Sequence, residues 1–170
     1  ENTEKLNKEI NIYKNLKINK IPKLICSGTY NDFTYLIISK IDGKSLFDTW
    51  HTFDEPERKN IIKQIADILK SFHNESYAFL NDNYKFLSWN KYISNEIKTR
   101  IEELKNLNQE NERLKTLCEN NFYGIFENND FGLVYNDAHF DNFIYNNGTI
   151  YLIDFDRVRV CPIDYEMLIF

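Results

Sequence analysis

The stretch LVYNDAHFDNFIYNNGTIYLIDF, residues 133–155, decides how the rest of the chain is read. It holds two apolar runs, a tight turn and a cluster of carboxylates and amides. Phe143-Ile144-Tyr145 reads as one short strand and Thr149 to Ile153 as the next, with Asn146-Asn147-Gly148 between them. Asn-Gly in that place calls for positive φ and is the strongest short-range signal for a hairpin. Asn142 enters the first strand and Asp154 leaves the second. A hairpin returns to its origin, so these two oxygen-bearing side chains are expected at the same end of the ribbon. Asp137 lies five residues before Asn142, on a loop that follows the apolar Leu133-Val134-Tyr135.

One carboxylate and one amide oxygen suit a hard divalent cation such as Mg2+, which keeps several waters and takes further ligands from phosphate. A separate carboxylate nearby can orient a hydroxyl and take up its proton. Metal-assisted phosphoryl transfer asks little more of a protein than this positioning. Asp137 or Asn142 taken singly reads more readily as a loop former. Asp137, Asn142 and Asp154 together, across so short a hairpin, point to chemistry.

The run NDAHFDN (136–142), followed by IDFD (153–156), resembles the catalytic loop and metal-binding aspartate of the aminoglycoside phosphotransferase and choline kinase family. The resemblance implies that Asp137 is the catalytic base and that Asn142 and Asp154 hold Mg2+. His139 matches the family histidine, in a supporting role. Two positions depart from the usual pattern. Tyr135 stands where the family often has histidine, and Asp156 occupies a position that varies. Farther on, the family has a proline followed by an acidic residue that braces the catalytic-loop backbone; Asp164 or Glu166 matches it. Arg157 and Arg159 face phosphate in one reading and pair with Asp156 or Asp164 in the other.

The fold the resemblance implies is α+β and protein-kinase-like, with two lobes. Residues 1–41 are then the remnant of the small, nucleotide-binding lobe with its hinge. Residues 42–170 are the front of a mainly helical large lobe, carrying the catalytic hairpin and the metal site. The glycine-rich phosphate loop and the nucleotide-contacting lysine would lie before residue 1, and further helices after Phe170. A chain cut there is expected to bind ATP poorly.

The upstream sequence fits this layout. Leu6, Ile10 and Tyr13 recur at helical spacing between Glu4 and Leu16. In the family such a helix carries the ion-pair glutamate of the small lobe, and Glu9 fits that place better than Glu4; read alone, it is a solvated helix face. Leu24-Ile25-Cys26 reads as a short strand, Gly28 to Asp32 as a turn, and Phe33 to Ile38 as a second strand. Ser39, Lys40 and Ile41 would be the hinge, whose backbone groups bind adenine. Gly43 reads as a turn residue. Asp54 is an N-cap, with Pro56 and Glu57 in the first turn of a helix to about Asn74. His73, near its end, reads as a helix-terminus residue. Ser88 caps a bent helix or helical pair over about 89–119, which with Trp89 and Tyr92 would shape the acceptor pocket.

Composition narrows the function classes. A net charge of −5 argues against a general nucleic-acid surface. The three cysteines, Cys26, Cys118 and Cys161, are widely spaced, so neither a zinc site nor a disulfide framework is indicated. No apolar run reaches membrane-spanning length and no signal peptide is visible, so a cytoplasmic protein without a membrane partner is expected. The expected function is transfer of the γ-phosphoryl group of Mg-ATP to a hydroxyl of a small molecule. The acidic residues Asp137, Asp141, Asp156, Asp164 and Glu166 cluster in sequence around the reacting centre and favour a cationic acceptor, such as an aminoglycoside or choline. A kinase-like binding protein without catalysis, or a protein kinase, is the alternative. Against the latter, His139 replaces the usual basic residue and Asp156 replaces glycine after Phe155.

Overall fold

The computed structural model describes residues 2–86, 98–99, 102–103, 116 and 130–168. Helix α1 spans Asn2–Asn15 and buries Ile10, Ile12 and Tyr13. Strands β1 (Leu24–Tyr30) and β2 (Phe33–Ile38) follow as an antiparallel pair. The turn is shorter than the sequence suggests. β1 runs on through Gly28, and Asn31 (φ 45°) and Asp32 (φ 65°) alone reverse the chain, with Tyr30 opposite Phe33. Asn and Asp tolerate the left-handed region, so the reversal needs no glycine.

The chain then crosses to the larger part of the molecule. Gly43 adopts φ 135°, and a Cβ there would collide with the Tyr145 carbonyl oxygen. Glycine is therefore what lets β3 (Lys44–Ser45) pair with β5 (Phe143–Asn146). Helix α2 (Leu46–Thr49) is capped by Ser45 Oγ, which accepts from the Phe47 N–H at 3.1 Å. Helix α3 spans Glu55–His73, and Asp54 caps it by accepting from the Glu57 N–H at 2.9 Å. Its buried face is Ile61, Ile65, Ile68, Leu69 and Phe72, one stripe at helical spacing. That stripe packs on strands β4 (Phe131–Val134) and β6 (Thr149–Leu152).

The strands form three small sheets: β1 with β2, β3-β5-β6, and β4 with β7 (Arg159–Pro162). β5 (Phe143–Asn146) and β6 are joined by Asn147 (φ 47°) and Gly148 (φ 82°), the left-handed pair expected of Asn-Gly. Gln64 of α3 clips this hairpin to the helix. Its Nε2 donates to the Gly148 carbonyl at 2.8 Å, and its Oε1 accepts from the Ile150 N–H at 3.1 Å. Beneath lie the rings of Phe72, Tyr135, Phe143 and Phe155, all at 0% exposure. This is the α+β arrangement expected, with a strand pair and α1 preceding the hairpin-bearing region. The helix expected over 89–119, with Ser88, Trp89 and Tyr92, lies outside the described residues except for helical backbone at 98–99, 102–103 and 116. Among the described residues no helix is long and apolar enough to cross a membrane.

Cys26 is exposed and Cys161 buried, both as free thiols. Phe72 contacts the rings of Tyr135 and Phe155 at 5.9 and 5.6 Å between centroids. Phe72→Ala is expected to lower unfolding free energy by about 3–5 kcal/mol, read by urea denaturation. Burial pushes the Cys161 thiol up from 9.0 to about 12. Above pH 9 the unfolded thiol ionises while the native one stays protonated, so this group's contribution is complete below pH 9 and is lost as pH rises toward 12. Stability curves of Cys161→Ala should therefore fall less steeply than those of the parent across that window.

Candidate active site

The site is built on two residues in a strained backbone conformation. Asn136 (φ 63°) and Asp154 (φ 64°) both lie in the left-handed region, which costs a non-glycine residue about 1–3 kcal/mol unless its surroundings enforce it. Glu166 enforces the first. Its carboxylate is 1% exposed and accepts from the Tyr135 N–H at 2.8 Å and the Asn136 N–H at 2.9 Å. Arg159 adds to this. Its guanidinium can only donate, so the Asn136 side-chain oxygen is the atom that faces it, at 2.9 and 3.0 Å.

Asp137 follows, with its side chain 16% exposed. The Asn142 Nδ2 donates to both its carbonyl oxygen and its Oδ2, each at 2.9 Å. The loop between them is tight: His139 N–H donates to the Asp137 carbonyl at 2.7 Å, and Asn142 N–H to the His139 carbonyl at 2.9 Å. His139 is 63% exposed and its Nε2 lies 3.4 Å from Asp137 Oδ1. Arg157 Nε lies 3.6 Å from the same oxygen. Arg157 thus faces Asp137, a partner the sequence did not suggest.

The hairpin carries Asp154 to the same end as Asn142. Ile153 N–H donates to the Asn142 carbonyl at 3.0 Å, one step beyond the paired Phe143 and Leu152. Tyr135 reaches the same end of the hairpin from the core side. Its hydroxyl donates to the Ile153 carbonyl at 2.7 Å. Its phenol pKa is raised far above the usual value, by burial first and then by the charges of Asp154 and Asp137.

On the other side of Asp154 is a cleft of about 530 Å³ lined by Glu9, Tyr13, Pro22, Ile38, Ser39, Lys40, Ile41, Ile144, Ile153 and Asp154. The structure brings the three hinge candidates and Glu9 to one cavity with Asp154. The Glu9 carboxyl is pushed up by burial and then by the Asp154 charge, with a hydrogen bond from the Phe155 backbone pulling it down. The Ser39 N–H donates to the Lys23 carbonyl at 2.8 Å.

The other candidates separate. Glu166, not Asp164, reaches the catalytic-loop backbone; Asp164 is exposed on the 3-10 turn Ile163–Leu168. Asp141 is exposed on the 3-10 turn Phe140–Asn142. Asp156 is also exposed, and its N–H donates to Asp154 Oδ1 at 3.3 Å. His73 does more than end a helix: its Nε2 is 3.5 Å from Glu166 Oε2, within ion-pair range but without a hydrogen bond.

Among the described residues no three His, Cys, Asp or Glu side chains converge as metal ligands. The donors at this end of the hairpin are an amide oxygen and one carboxylate, beside a second carboxylate, Glu9. An oxygen-only set with adjacent like charges fits a hard cation that completes its shell from water and phosphate.

A bilobal kinase-type fold with this hairpin defines a class of phosphotransferases, and comparison with known proteins agrees. The sequence profile described as the phosphotransferase enzyme family matches residues 1–170, and the chain belongs to that family. No curated protein sequence matches it significantly. Among solved structures it is similar to the GDP complex of wild-type aminoglycoside 2'-phosphotransferase-IIIa (TM-score 0.78, 18% identity, covering 95% of this chain and 59% of that one). It is similar also to the gentamicin complex of APH(2")-IIa (0.75, 20%, 96% and 58%). A third is the apo form of a thermostable mutant of aminoglycoside phosphotransferase APH(4)-Ia (0.64, 16%, 95% and 59%). The chain spans 58–59% of the length of these proteins, and at such identities the likeness is one of fold.

Glu166→Gln replaces an acceptor-only carboxylate with an amide that presents one oxygen to two N–H groups. It should cost about 1.5–3 kcal/mol in chemical denaturation, the worth of hydrogen bonds to a buried charge.

Proposed function

We propose that the complete protein transfers the γ-phosphoryl group of a nucleoside triphosphate, ATP in the first instance, to a hydroxyl of a small cationic acceptor. The observation that carries this reading is the juxtaposition of Asp137, Asn142 and Asp154 at one end of the β5–β6 hairpin, beside the cleft that holds Glu9 and residues 39–41. Solved relatives in the same fold are complexes with ADP, with GDP, and with ATP and streptomycin together, which supports a nucleotide donor and an aminoglycoside-like acceptor.

In this reading the adenine lies against Ile38 and Ile41. The Ser39 N–H is engaged by Lys23, so recognition of the base falls to the backbone of Lys40 and Ile41. Asn142 and Asp154 would hold Mg2+, which neutralises charge on the phosphates. Asp137, fixed through its Oδ2 by Asn142, orients the acceptor hydroxyl and receives its proton as the oxygen attacks the γ-phosphorus. The bond to the bridging oxygen breaks and the nucleoside diphosphate leaves. Arg157, close to Asp137, supplies positive charge where phosphate oxygens pass. Asp141 and Asp156, exposed nearby, add negative field on the acceptor side and favour cations.

In the complete protein, Asp137→Ala should lower kcat by about 10²–10⁴-fold with nucleotide affinity retained, as expected for loss of a general base. Asp154→Asn should abolish the Mg2+ dependence of nucleotide binding in calorimetry. Full turnover and unchanged Mg·ATP affinity in Asp154→Asn would refute the metal role. A panel of choline, ethanolamine, aminoglycosides, simple sugars and homoserine tests the acceptor: turnover confined to neutral or anionic compounds refutes the cationic preference alone.

A further inference from the structure

Lys8 precedes Glu9 on α1 and is 6% exposed, an unusual depth for an ammonium group. Among the described residues no carboxylate forms an ion pair with it. Its Nζ donates to the carbonyl oxygens of Asp156 and, at 3.3 Å, of Val158, and it sits 4.6 Å from the centre of the Tyr84 ring. Burial lowers its pKa to about 8, with the Asp156 charge drawing it back up. Burying a cation is costly unless its protons are taken up, and here backbone carbonyls do this.

Those carbonyls belong to the segment that leaves Asp154. Lys8 holds the Asp156 and Val158 carbonyls, and the Asp156 N–H reaches back to Asp154 Oδ1. One side chain of α1 thus grips two peptide units within four residues of Asp154. The same segment presents Arg157 to Asp137.

We infer that Lys8 is a positioning residue for the metal-binding carboxylate: through the Asp156 and Val158 carbonyls it couples the place of α1 to the orientation of Asp154. The Asp154 end of this coupling rests on the phosphotransferase reading; the grip of Lys8 on residues 154–158 does not. Lys8→Met keeps the aliphatic stem and removes the donor. Lys14→Met, on the exposed last turn of the same helix, is the control.

Two measurements on the complete protein decide the matter. In hydrogen–deuterium exchange, Lys8→Met should speed exchange of residues 154–159 about tenfold, with α3 and the β5–β6 hairpin unchanged. In calorimetry, the Mg2+ concentration for half-maximal ATP binding should rise about fivefold, with affinity at saturating Mg2+ kept, the loss of roughly one hydrogen bond. Lys14→Met should match the parent in both. Unchanged exchange at 154–159, or faster exchange spread over the whole molecule, overturns the proposal, and so does an unshifted Mg2+ requirement. A parent protein that binds no Mg·nucleotide strikes at the phosphotransferase reading instead, and the exchange data still decide whether Lys8 holds the segment.

Discussion

The bonds from the Tyr135 and Asn136 N–H groups to the buried Glu166 carboxylate are what the rest of the site depends on. They come where the chain turns out of β4 into a conformation that asparagine alone would leave readily. With Asn136 held there, Asp137 is delivered to the Asn142 amide and the Tyr135 ring is turned inward, against Phe72 and Phe155. Its hydroxyl can then reach the Ile153 carbonyl. A buried charge is tolerated here because two backbone donors satisfy it, at a place where the fold would otherwise leave those donors without partners.

The two strained residues are treated alike. Asn136 is gripped by Glu166 and Arg159, and Asp154 is bracketed by Tyr135 on one side and Glu9 on the other. In both cases a side chain remote in sequence satisfies main-chain groups beside the strained residue. Local turn chemistry sets up the hairpin; long-range side-chain bonds aim its end.

That division explains what the sequence made legible. Asn147-Gly148 announces its own turn, and Asp54 with Pro56 and Glu57 announces the start of α3, because these signals are confined to a few adjacent residues. That Asn142 and Asp154 share one end of the hairpin follows from hairpin geometry alone. Asp164 and Glu166 could not be told apart, since choosing between them requires knowing which side of a 3-10 turn faces β4. Lys8 and Gln64 gave no signal, being ordinary polar residues on helices whose partners include backbone atoms far along the chain. The approach of Arg157 to Asp137 depends on the path of the chain after Asp154, which no neighbouring residue announces. Gly28 misled in the other direction: a glycine attracted a turn that Asn31 and Asp32 make without it.

The Lys8 contact also bears on the order in which the molecule assembles. Its partner Asp156 lies 148 residues away, and Glu166 reaches back 31 and 30 residues to Tyr135 and Asn136. Closing such long loops costs entropy that no local structure offsets in advance. During synthesis, α3 can form early, and the hairpin can close soon after Gly148 has emerged. The loop bearing Asp137 gains its brace only when Glu166 arrives. The parts of the site most easily recognised in the sequence are therefore the first able to form, and the geometry that makes them a site comes last.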